Sequence, residues 1–79
     1  MSAQAQTVPG NVRAEMARRR ITQATIASAL GKTQQAVSAR LNGKVAFDVD
    51  ELATVAGVLG VDPADLLTPA GARRAERVS

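Results

Sequence analysis

Apolar positions recur along this chain at three- and four-residue spacing, and no alternating β-branched run of strand length interrupts them. The pattern predicts helices and no sheet. Val12 and Met16, four apart, place a first helix from about Gly10 to Arg19, and arginines gather at the end where positive charge suits the helix dipole. In "TQATIASALG", Thr22 is the expected N-cap, Ile26 and Leu30 share one face, and Gly31 is the stop. A third helix opens at Thr33, another capping type, turns Val37 and Leu41 inward, and ends before Asn42-Gly43. After a loop holding Phe47, "DVDELATVAGVLG" carries a stripe of Leu52, Val55, Ala56 and Leu59 and closes at Gly60. In "VDPADLL", Asp62 caps and Pro63 takes the first helical position, where its missing N–H is tolerated. The expected fold is all-α, built of five short helices.

The second and third helices are the informative pair. Only Gly31 and Lys32 separate Leu30 from Thr33, so the chain must turn sharply there. Gly31 can adopt the positive φ such a turn asks for, and Ala27 is small enough to let a second helix cross closely. Val37 is expected to pack back onto Ile26 and Ala27. This describes a helix-turn-helix, whose second helix projects its N-terminal residues away from the core. That helix lies within "KTQQAVSARLNGK", residues 32–44, and carries little apolar surface. Long neutral amides such as Gln34 and Gln35 add little to burial, so their role lies elsewhere.

Composition narrows the chemistry. A chain of 79 residues is one domain at most, with a core just large enough to fold without staples. It has no Cys, which excludes disulfides and thiolate metal sites, and no His, the usual general base and zinc ligand. Asp48, Asp50 and Glu51 cluster where a helix starts, and capping together with the dipole accounts for them. No nucleophile, base or metal ligand accompanies them, so neither an enzyme nor a cofactor is expected. Residues 1–9 are small and polar, lack Lys and Arg, and are expected to be loose. They show no secretion signal, no segment approaches membrane-spanning length, and a cytoplasmic location is expected.

Charge is unevenly placed. Between Gly10 and Lys44 stand Arg13, Arg18, Arg19, Arg20, Lys32, Arg40 and Lys44 against Glu15 alone. Between Val45 and Thr68 stand Asp48, Asp50, Glu51, Asp62 and Asp65 with no base. The tail from Pro69 adds Arg73, Arg74 and Arg77 against Glu76, and the whole chain is +3. A basic half joined to an acidic half suggests one face made for a polyanion, with nucleic acid the favoured partner.

The segments "ITQATIASALGKTQQAVSARLNGK" and "LATVAGVLGVDPADLL" carry a resemblance. Residues 12–67 resemble the helix-turn-helix domain of phage repressors, Cro proteins and their bacterial relatives, above all the N-terminal DNA-binding domain of lambda-type repressors. There too a Gln opens the second helix, Gly marks the turn, Gln begins the third helix and Asn-Gly ends it. The resemblance implies a compact five-helix, lambda-repressor-like domain over residues 10–68, between a flexible N-terminus, 1–9, and a basic C-terminal tail, 69–79. It implies that Gln34 and Gln35 read bases, and a Gln amide does match the donor and acceptor of adenine N6 and N7. Ser38, one turn on, can also reach a base. Gln23 is implied to contact a phosphate and brace Gln34, and Thr33 to add its hydroxyl and N–H. Asn42 and Lys44 match the family's backbone-contacting loop, while Lys32 and Arg40 add sequence-independent attraction. Two residues depart from the family pattern. Arg20 stands where Gly is frequent, and Arg40 where an aliphatic residue is usual, its stem expected to cover the core edge while its head reaches solvent or phosphate.

The expectation is a sequence-specific, double-stranded DNA-binding transcription regulator of phage or prophage type, a Cro or repressor, in the cytoplasm of a bacterial host. No membrane, metal or small-molecule ligand is expected. One such domain reads few base pairs, so a homodimer is expected, either preformed or assembled only on operator DNA, with Leu66 and Leu67 of the last helix, or the stretch after it, as its contact. Two alternatives stay open at this point. An antitoxin or anti-repressor would act mainly through a protein partner, and an architectural protein would coat any duplex with a steep salt dependence.

Overall fold

The structure, a computed structural model, describes residues 3–69, with side chains from Thr7 onward. The described residues form five helices and no strand: α1 Ala3–Arg19, α2 Gln23–Leu30, α3 Gln34–Leu41, α4 Val49–Leu59 and α5 Pro63–Leu67. Each of the last four begins at the cap its sequence announces. The Thr22 hydroxyl accepts the Thr25 N–H at 3.2 Å, Thr33 accepts from Ala36 at 3.1 Å, and Asp62 accepts from Ala64 at 2.9 Å. At α4 the exchange is reciprocal. Asp48 accepts the Glu51 N–H at 2.7 Å, and Glu51 accepts the Asp48 N–H at 3.0 Å, closing a capping box.

The ends of α1 to α4 share one geometry. A residue with positive φ follows the helix, directly after α1, α2 and α4 and after Asn42 at α3, and the next N–H reaches back five residues: Ile21 to Met16, Lys32 to Ala27, Lys44 to Ala39 and Val61 to Ala56, all within 2.9–3.0 Å. Gly31, Gly43 and Gly60 hold the left-handed position in three of these turns; Arg20, with φ +57°, holds it in the fourth. The family's frequent glycine is therefore absent from a turn that still has the glycine conformation.

α1 starts at Ala3 rather than near Gly10, inside the segment expected to be loose. Pro9 suggests a boundary but lies within the helix. Val8 is buried one turn ahead of Val12, so the Val8–Val12–Met16 stripe extends the helix toward the N-terminus. The basic tail, apart from Pro69, lies outside the described residues.

One core joins all five helices. Val8, Val12 and Met16 of α1 meet Ile26 and Ala27 of α2, Val37 and Leu41 of α3, Val55, Ala56 and Leu59 of α4, and Leu66 of α5. Ile21, Leu30, Phe47 and Leu52 pack around this cluster. Leu66 is fully buried, which corrects its expected part in a dimer contact: it belongs to the core of its own chain. Leu67 remains exposed on α5, and Val45 and Val49 are exposed in and after the α3–α4 loop.

Candidate nucleic-acid interface

α3 is fastened on one side and bare at its start. Val37 and Leu41 are buried, whereas Thr33, Gln34 and Gln35 are exposed. The turn before it is held by Gly31 at φ +66°, and Ile26, Ala27 and Val37 share the core cluster as their spacing predicts. Thr33 uses its hydroxyl oxygen to cap α3, which leaves the O–H free to donate outward.

Polar side chains grip the rest of α3. From α1, an Arg13 Nη donates to the Leu41 carbonyl at the C-terminal end of α3, where a cation complements the dipole. From α4, Glu51 takes two cations. Its Oε1 accepts from Arg40 Nε at 3.0 Å, and its Oε2 lies 3.5 Å from Lys32 Nζ. The Arg40 guanidinium also donates to the Ala36 carbonyl at 2.9 Å. The Glu51 side chain is 8% exposed and that of Arg40 15%. The hydrogen bond from Arg40 is the main cause holding the Glu51 carboxyl below its usual pKa of 4.5; the Asp48 N–H and the charges of Arg40 and Lys32 act with it, and burial opposes them.

This changes the picture of Arg40. Its side chain is mostly buried, and its head turns back to Glu51 and Ala36 rather than out toward a phosphate. The physical reason is a buried carboxylate on the neighbouring helix that requires a partner. Lys32 shares that carboxylate from a more exposed position. A second buried acid, Glu15, takes Arg18 at 2.9 Å and Arg19 at 3.1 Å. Four of the seven positive residues between Gly10 and Lys44 are therefore ion-paired within the molecule.

The remaining site residues stand as follows. Gln23 is the exposed first residue of α2, and among the described residues no hydrogen bond joins it to Gln34. Ser38 is half-buried, with its Oγ 3.4 Å from Asn42 Nδ2. Asn42 is exposed at the end of α3, and Lys44 is exposed just beyond it, its N–H held by the Ala39 carbonyl at 2.9 Å. Sequence reasoning missed Glu51 as the hub for α3, and also missed Arg13. The signal for Glu51 was an Arg at an aliphatic position, since such a residue at a core edge requires a counter-charge.

Two helices joined by a tight glycine turn, the second presenting a bare first turn of polar residues, define a helix-turn-helix unit. The chain belongs to the helix-turn-helix family of Cro/C1 type, whose pattern matches residues 12–66. It is thus a DNA-binding regulator by family. No curated protein and no solved structure is significantly similar to it. No helix among the described residues is long and apolar enough to cross a membrane.

Proposed function

We propose that this protein is a sequence-specific, double-stranded DNA-binding regulator of the phage or prophage Cro or repressor kind, acting by occupying a promoter. α3 lies in the major groove, where Gln34 and Gln35 read base edges and Ser38 adds a hydrogen bond. Gln23, Thr33, Asn42 and Lys44 fix the register on phosphates. One observation supports this most strongly. The two glutamines are exposed in the first turn of a helix whose other side is anchored by core residues and four charged side chains, Arg13, Lys32, Arg40 and Glu51. Such a helix presents amides in a fixed direction, as base readout demands. A single domain spans few base pairs, so two copies on a palindromic site complete the reading unit.

Selection of bound duplexes from a random pool, at near-physiological salt to suppress non-specific attraction, tests the proposal. A recovered palindrome is expected, its half-site spacing reporting the dimer geometry. A pool that stays random removes Gln34 and Gln35 as readers.

A further inference from the structure

We infer that Glu51 is a specificity-determining positioning residue of the DNA interface: it sets the pose of α3 through Arg40, and it keeps the charges of Arg40 and Lys32 from serving arbitrary phosphates. The inference rests on α3 being the helix that reads bases.

The geometry separates this role from capping. Capping needs one acceptor, and Oε1 supplies it to the Asp48 N–H at 3.0 Å. Yet Oε1 also takes Arg40 in the last turn of α3, and Oε2 faces Lys32 in the turn before α3. One carboxylate thus brackets α3 near both ends. The helix has eight residues, of which Val37 and Leu41 are buried, so apolar packing alone holds it weakly. Its polar partners therefore decide how it tilts, and a bidentate amide–base contact tolerates little tilt.

The electrostatic consequence is independent of the pose. With Glu51 between them, Lys32 and Arg40 present one net positive charge to a nearby phosphate instead of two. Each phosphate neutralised adds about 0.9 to the slope of binding against salt, so removing the acid steepens it by about one. The added attraction is blind to sequence. Glu51 therefore raises preference twice over, by holding the readers still and by limiting non-specific affinity.

The test compares wild type with Glu51→Gln on two probes, a duplex enriched from a random pool by the wild type and a random-sequence duplex, across a range of salt. Gln keeps an oxygen acceptor for capping but removes the negative charge that holds Arg40, and it turns N–H donors toward Lys32 in place of Oε2. For Glu51→Gln, random-duplex binding is expected to tighten several-fold at low salt with a slope steeper by about one, and preference for the enriched duplex to fall about tenfold. Adding Lys32→Ala in that background returns the slope to its wild-type value. Equal losses on both duplexes with an unchanged slope would show that Glu51 only holds the fold, and would overturn the inference. Asp50→Asn makes the same charge change one residue away, at an exposed carboxylate with no ion pair among the described residues. It is expected to preserve preference, and a drop matching that of Glu51→Gln overturns the positioning role. If Glu51→Gln does not fold, Arg40→Leu reads the same pose: preference falls and the slope flattens by about one, because Lys32 and Glu51 are left with no net charge, whereas intact preference refutes the clamp. Failure to enrich any duplex with the wild type rejects the base-reading proposal itself, and the random-duplex slopes then decide the charge role alone.

Discussion

The Asn11 amide of α1 donates to the Leu66 carbonyl of α5 at 2.9 Å, joining residues 55 apart in the chain. The same Nδ2 lies 2.9 Å from the Thr68 carbonyl and 3.4 Å from that of Asp65. α5 has five residues, too few to be stable alone, and its last carbonyls have no partner further along the helix. Asn11 supplies that partner while Leu66 fills the core beneath it, so α1 and α5 together close the domain behind the helix-turn-helix.

Replacing Asn11 with Ala leaves the buried Leu66 carbonyl and its part-buried neighbours without their donor. The expected loss is about 1–3 kcal/mol, read as a lower urea midpoint at unchanged m-value. The enriched duplex motif should stay the same, because the change lies away from α3. An unchanged midpoint would show that water replaces the amide at no loss.

Arg20 is the one non-glycine residue in the left-handed conformation among the described residues, in the turn geometry that Gly31, Gly43 and Gly60 adopt without strain. Arg20→Gly is therefore expected to stabilise the domain by about 1 kcal/mol. In a domain of this size that is a rise in Tm of about 4–8 °C. A lower Tm would show that the Arg20 side chain contributes more than its backbone strain removes.

The acid limb of stability should carry the signature of Glu51. Its folded pKa lies below 4.5, held there chiefly by the hydrogen bond from Arg40. The native state therefore binds fewer protons than the unfolded chain just below that value, and stability falls as pH drops through the folded pKa. Stability from this group is fully present above pH 4.5. Urea midpoints of wild type and Glu51→Gln at descending pH check this: the two curves should converge on acidification. Parallel curves would remove the Arg40–Glu51 pair as a source of stability.

Gln34→Ala should weaken binding to the enriched duplex by about 1–3 kcal/mol and relax preference at one base pair. Lys44→Ala should instead weaken all duplexes alike and reduce the salt slope by about one. Competition binding on matched and single-base-changed duplexes distinguishes the two. An equal loss on enriched and random duplexes for Gln34→Ala would reassign that residue from reader to backbone contact.

What the sequence determined by itself was local. Thr22, Thr33, Asp48 and Asp62 announce helix starts, and Gly31, Gly43 and Gly60 announce ends, because a cap is a contract between residues two to five apart. The tight turn between α2 and α3 and the inward faces of Val37 and Leu41 follow from the same short-range spacing. The start of α1 was less legible, since residues 1–9 read as small and polar until the burial of Val8 is known. Tertiary structure alone decided where the long polar side chains go. Arg40 reads as a free cation until α4 brings a buried carboxylate to it, and Asn11 gains its role only where α5 lays its carbonyls against α1. Leu66 reads as a contact for a second copy until the fold closes over it. The reason is physical. Caps and turns depend on backbone geometry within one helical turn, whereas the partner of a buried charge or amide is set by which distant element packs beside it.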